Sequence, residues 1–324
     1  MRKILFLILF IPLLISCSRE GIFTAGDDSR PPSVPANLNI FSAHDGVIGL
    51  EWSPDIEQNI KGYNIYRSAG NGSNPQLINF TTGAHFIDYP LSYDTAYFYA
   101  VSALNKNGLE SAKTALVFAQ LYNRDAPDPV YGTEISGRNN ITGHFIELNL
   151  YPPQNYDIKG YLIYRSETEP VNADTSHYIG FTGTNTFNDS TVQVLKTYYY
   201  CIVTVDRGGL KSTKSGTVSG IVLDTPEIIY PLNNSTVKNL HTFQFKTAYA
   251  AAEYKIVIQS NELYGPVAEF VLRSNKVNDT ISFDFDQYIL ESYKKYYWRV
   301  ISYSTAGGEP NSYSPLYSFT YIAE

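Results

Sequence analysis

The chain has little with which to do chemistry. Two cysteines in 324 residues, Cys17 and Cys201, cannot make a disulfide framework, because one lies in the N-terminal apolar segment and the other in an expected strand. A chain without disulfides must be held by its hydrophobic cores alone. The five histidines, His44, His85, His144, His177 and His241, show no ligand spacing such as His-x-His, and no Cys-x-x-Cys exists. There is no Gly-x-Ser-x-Gly elbow, no phosphate-cradling glycine loop and no dinucleotide fingerprint. Charged residues make up 17% of the chain and no five of one sign run together, so a basic nucleic-acid tail is excluded. Only one long apolar run occurs.

That run is Ile4 to Ile15, 12 residues behind Arg2 and Lys3. A membrane span needs about 20 residues, so these are the proportions of a secretory signal. Without residues 1–16 the chain keeps 22 basic against 31 acidic residues, a net charge of −9. A negative field of this size opposes nucleic acid and anionic bilayers. The run ends Leu14-Ile15-Ser16-Cys17, which resembles the lipobox of bacterial lipoproteins. The resemblance implies cleavage before Cys17, lipid attachment to its thiol and membrane anchoring through that lipid. Ser18, where an inner-membrane retention signal would place Asp, implies the outer membrane or cell surface if the source is Gram-negative. Residues 17–30 read as a polar tether.

What is abundant is aromatic: 28 Tyr and 17 Phe, which together with Ile, Val and Thr favour strands. The pattern repeats. Ile60-Lys-Gly-Tyr-Asn-Ile-Tyr-Arg-Ser68 returns 98 residues later as Ile158-Lys-Gly-Tyr-Leu-Ile-Tyr-Arg-Ser166. Tyr97-Phe-Tyr-Ala-Val101 and Gly108-Leu-Glu-Ser111 return after 101 residues, so the second copy carries a three-residue insertion. A weaker third copy shows Tyr254-Lys-Ile-Val-Ile258 and Tyr296-Tyr-Trp-Arg-Val300. Each copy opens with prolines, which blunt an edge strand. Within a copy the apolar period is two, with no helical period beyond the signal.

The modules resemble fibronectin type III domains. The first has entry prolines, Trp52 on its second strand, Tyr63-Asn-Ile-Tyr-Arg67 on its third, and Tyr97, which with Tyr198 and Tyr296 falls at that family's tyrosine corner. Leu150 replaces the tryptophan in the second module, and Phe243 or Phe245 replaces it in the third. The expected fold class is therefore all-β: three tandem immunoglobulin-like (fibronectin type III) β-sandwiches after a lipoprotein signal peptide. The expected domains are 31–122, 123–223 and 224–324.

Function is less legible. Cys201 aligns with Ala100 on the outward phase of its strand and lacks a histidine nearby, so it is not expected to be a nucleophile. Asp284 and Asp286 share a strand face, and Asp125, Asp128, Asp224 and Glu227 crowd the module junctions. A solvated face explains the first pair, and too few oxygens are in view for a firm calcium site at the second group. No catalytic residue, metal or cofactor is expected. Tyr66, Phe98, Tyr164, Tyr199 and Tyr297 fall on the outward phase. They are read first as cross-strand packing and second as a face for a protein or glycan partner. Since the chain ends at Glu324, soon after the last expected strand, no catalytic domain is expected. The leading expectation is a non-catalytic interaction or spacer scaffold at the cell envelope, with a carbohydrate-binding accessory role as the alternative.

Overall fold

The computed structural model describes residues 30–263, 265–285 and 289–323. The signal peptide, Cys17, most of the tether and Asp286 lie outside the described residues. Among the described residues there are 23 β-strands. The described chain divides into two compact units, one of residues 30–42, 49–87 and 95–120, the other of residues 43–48, 88–94 and those from 121 onward.

The first module runs β1 (Ala36–His44), β2 (Val47–Ser53), β3 (Ile60–Ala69), β4 (Gln76–Thr81), β5 (His85–Asp88), β6 (Ala96–Asn105) and β7 (Val117–Gln120). They form two sheets, β1-β2-β5 and β4-β3-β6-β7. The second module repeats this with β8 (Gly132–Asn140), β9 (Gly143–Tyr151), β10 (Ile158–Ser166), β11 (Tyr178–Thr182), β12 (Thr186–Asp189), β13 (Thr197–Asp206) and β14 (Val218–Ile221). Its sheets are β12-β9-β8 and β11-β10-β13-β14. This two-sheet arrangement is a fibronectin type III-like sandwich.

The alternation read in the sequence decides the core. On β6, Tyr97, Tyr99, Val101 and Ala103 are buried, as are Tyr198, Tyr200, Ile202 and Thr204 on β13. The Ile-Lys-Gly-Tyr repeat also has a physical cause. Pairing with the neighbouring strand shifts register between Ile60 and Gly62 and again between Ile158 and Gly160. A Cβ on Gly62 would sit 2.5 Å from the Thr81 carbonyl oxygen and 2.4 Å from the Phe80 ring; Gly160 meets Thr182 and Phe181 in the same way. Glycine admits the close approach and the cross-strand phenylalanine covers it.

The insertion can be placed. Tyr63 pairs with Thr81 and Tyr161 with Thr182, so the offset changes from 98 to 101 across the loop that joins those strands. The longer loop carries Val171, wholly buried against Tyr164, Cys201 and Val203.

The third module departs from the other two. Its strands are β15 (Glu227–Tyr230), β16 (Ser235–Lys238), β17 (Thr242–Lys246), β18 (Glu253–Gln259), β19 (Pro266–Leu272), β20 (Ile281–Asp284), β21 (Lys294–Tyr303), β22 (Ser312–Tyr313) and β23 (Tyr317–Ile322). Phe245 stands in for Trp52: it packs on Tyr254 at 5.1 Å, as Trp52 packs on Tyr63 at 5.3 Å. The tryptophan moves to Trp298 on β21, 4.6 Å from Phe243. The short strand β22 pairs with β21 and, in parallel, with β8 of the second module at Ser312 and Asn139. One sheet thus runs from β12 through β9 and β8 into β22, β21, β18 and β19.

Candidate functional site

The expected outward face must be corrected. Tyr66 and Tyr164 do lie opposite the core-facing residues of their strands, yet they are only 8% and 6% exposed. The Tyr66 hydroxyl donates to Glu110, which also accepts from Ser102, and Lys113 Nζ sits 3.7 Å from the Tyr66 ring centre. Tyr164 lies under the inserted loop, edge-on to Tyr178 at 5.9 Å. Phe98 packs on Phe118 at 5.3 Å, Tyr199 packs against the Tyr164 cluster, and Lys295 reaches over Tyr297. All three are half-buried. The face is therefore not an open aromatic platform. Sequence phase gives direction but not cover, and the cover comes from loop residues.

Cys201 is likewise covered, wholly buried beside Val171, and burial pushes its thiol up. A native-state thiol reagent should leave Cys201 unmodified, with labelling only on unfolding, as mapped by mass spectrometry. Rapid native labelling would contradict this placement.

The corner tyrosines keep their expected place. The Tyr198 hydroxyl accepts from Gln193 N–H at 3.2 Å and the Tyr296 hydroxyl from Glu291 N–H at 2.8 Å, each five residues upstream. Tyr97 is buried at the corresponding position.

The repeated Gly-Leu-x-Ser segments also serve structure. Ser111 Oγ accepts the Ala103 N–H, and Ser212 Oγ accepts the Thr204 N–H, both at 2.9 Å. Each serine satisfies a strand amide that the ladder leaves open. In the third module the same place holds Asn311, whose backbone N–H bonds Ser302 O. Asn311 Nδ2 donates to Ile221 O and its Oδ1 accepts from Leu223 N–H, both at 2.8 Å. Gly137 makes room, since a Cβ there would lie 2.0 Å from Ile221 O. Asn139 Nδ2 adds a bond to Leu223 O, and Arg138 one to Pro310 O.

Two polar groupings escaped the sequence reading. Asp189, almost wholly buried, bonds Arg165 at 2.6 Å, the Tyr200 hydroxyl at 2.9 Å, and the Thr191 hydroxyl and N–H. Burial works to raise this carboxyl, but the Thr191 and Arg165 hydrogen bonds hold it below the usual range. Arg67, Asp88 and Tyr99 occupy the matching places in the first module. The equal 101-residue offset of Asp88 and Asp189 was the available signal.

The other grouping is His44, Asp45 and Asp125, whose ligand atoms lie within 4.8 Å of one another. Asp45 Oδ1 already accepts the N–H groups of Arg124 and Asp125, and Oδ2 contacts His44 Nδ1 at 2.8 Å. Asp125 is paired with Arg124. Of the junction acids, Asp224 accepts the Ala248 N–H at 2.7 Å, and Asp284 is exposed on β20.

Exposed aromatics do cluster elsewhere. Tyr89 and Tyr156 stack at 4.5 Å with rings tilted 48°, each about half exposed. Tyr131 and Tyr151, also exposed, are joined by a Tyr131 N–H to Tyr151 O bond of 2.9 Å. Separately, Ile141 is fully exposed at the β8–β9 turn, on a groove of about 770 Å³ whose walls include Tyr313, Pro315 and Leu316 together with Thr142, Thr225 and Arg299.

No family model matches the chain. It is 26% identical over 209 residues to exoglucanase B of Cellulomonas fimi, a match covering 62% of this chain and 18% of that one. It is 34% identical over 87 residues to an amylopullulanase of Thermoanaerobacterium saccharolyticum, covering 26% of this chain. It is 34% identical over 93 residues to an alpha-amylase of Niallia circulans, covering 27% of this chain. The latter two matches each cover 7% of the relative, so the chain spans less than a fifth of the length of these curated relatives. Among solved structures, the FN1–FN3 domains of chicken CNTN1 align over 90% of this chain and 100% of theirs, at 13% identity and a TM-score of 0.36.

Proposed function

We propose that the protein is a non-catalytic scaffold, anchored at the cell envelope through lipid on Cys17, that presents an apolar groove to a protein partner. The observation that carries this reading is the groove beside Ile141. An isoleucine wholly in water, next to a tyrosine, a proline and a leucine, is an unfilled apolar surface of the kind that partners bury. The strand pairing between β8 and β22 fixes its walls. A photo-crosslinking residue at position 141 should give a discrete adduct in cells, and one at exposed Asn275 should not. No adduct at 141, or the same adducts from both positions, would refute the groove. Incorporation of a palmitate analogue should be lost in Cys17→Ser; retained labelling would refute the anchor.

A second reading has its own support. The relatives named above are enzymes of glucans by name, and Tyr89, Tyr131, Tyr151 and Tyr156 offer exposed rings with hydroxyl handles for sugar. Under this reading the protein is a carbohydrate-binding accessory. On a glycan array of the full chain, binding abolished by Tyr131→Ala with Tyr156→Ala, at unchanged melting temperature, would favour the accessory over the scaffold. The scaffold reading predicts no such binding.

A further inference from the structure

In the second unit two carboxylates are buried close together without a cation. Asp157 is 3% exposed and Asp206 wholly buried. Among the described residues neither forms an ion pair with lysine or arginine. Asp157 accepts the Tyr93 hydroxyl, and Arg207 gives only its backbone N–H, to the Asp157 carbonyl. Asp206 Oδ1 accepts from Leu210 N–H at 2.8 Å and from Asn123 Nδ2 at 3.1 Å. Its other oxygen, Oδ2, is buried without a hydrogen-bond partner, and so is Asn123 Oδ1. The two unmet oxygens belong to groups joined by the Asn123–Asp206 bond, so each lies one carboxylate or amide width from it.

The first module makes the same place neutral. Asn59 stands where Asp157 stands, one residue before the repeated Ile-Lys-Gly-Tyr, and Asn105 stands where Asp206 stands, closing the sixth strand as Asp206 closes the thirteenth. Asn105 is satisfied without charge: its Oδ1 accepts from Asn107 and Leu109, and its Nδ2 donates to Arg30 O. The fold thus has no need of acids here. Two buried carboxylates with no counter-charge are unfavourable unless something positive joins them. The neighbouring Asp206 and Asp45 charges add to burial in raising the Asp157 carboxyl, against the Tyr93 hydrogen bond.

We propose that Asp157, Asp206 and Asn123 form a binding site for a hard divalent cation of the calcium class. Two carboxylates and an amide carbonyl are the oxygen donors such ions take, with water completing the six to eight ligands. Water has a route through the adjacent cleft, whose walls include Tyr93, Tyr122, Asn123 and Arg207. A bound ion would tie loop 88–94 and residues 121–123 to the β13 end of the second module. It is a different place from the His44–Asp45–Asp125 grouping, where the Asp45 oxygens already have donors.

The test is thermal unfolding of the full chain after stripping with EDTA, with and without about 5 mM calcium. With an affinity of about 10⁻⁴ M, as in extracellular modules, the melting temperature should rise by about 5 °C. In Asp157→Asn with Asp206→Asn, which copies the first module, the protein should fold and the calcium shift should vanish. In Asp125→Asn the shift should remain. No shift in the wild-type chain overturns the site, and so does a shift that survives in the double variant or is lost only in Asp125→Asn.

Discussion

Arg165→Ala should destabilise the second module by about 3–5 kcal/mol, read as a loss of denaturation midpoint at constant slope. Asp189 is enclosed, and among the described residues Arg165 supplies its only positive partner, at 2.6 Å. The Arg165 guanidinium also lies 4.7 Å from the Tyr198 ring centre, so its loss removes packing as well as charge. What remains is a carboxylate that cannot reach water and keeps only the Tyr200 and Thr191 donors. Asp189→Asn with Arg165→Met, which removes both charges, should recover most of the stability, because the large term is the orphaned charge.

The pH dependence follows with a definite sign. The folded Asp189 carboxyl lies below its ordinary value, so the folded state binds fewer protons than the unfolded one. Its contribution is fully present above the unfolded value of about 3.9 and is lost as pH falls through the folded one. Wild type should therefore lose stability below about pH 4 more steeply than the doubly neutral variant. Parallel acid profiles would contradict the assignment.

Gly137→Val should cost about 3 kcal/mol or more, by a different route. The new Cβ would stand 2.0 Å from a backbone oxygen, and backbone cannot rotate away as a side chain can. To relieve the clash, β8 must part from Ile221 and from the Asn311 amide, whose nitrogen is 2.6 Å from the same Cβ position. Asn311 is 1% exposed, so each broken bond leaves a buried polar group unmet, at about 1–3 kcal/mol apiece. Asn311→Ala should show part of this loss without the clash. Gly137→Val at wild-type stability would mean that the strands are not held together in this way.

The strand alternation, the tyrosine corner and the glycine entry were legible because each depends on one strand and its period. Leu150 stands in the place of Trp52: the backbone N–H of each bonds the same loop, at Ala84 O and Asn185 O. What the sequence hid is what depends on residues far apart. The cover over Tyr66 comes from Glu110 and Lys113, some 45 residues away, and that over Tyr164 from an insertion whose position the repeat alone left open. Asn311 reads as a surface turn residue until Ile221 and Leu223 are seen beside it. Asp157 and Asp206 lie 49 residues apart, and only folding places them together.

The groove beside Ile141 has fixed walls because the second and third modules share a sheet closed by Asn311. Calorimetric unfolding of the full chain tests this most directly. The account predicts that these two modules melt in one cooperative transition and that Asn311→Ala splits it in two. Two separate transitions in the wild-type chain, unchanged by Asn311→Ala, would contradict it.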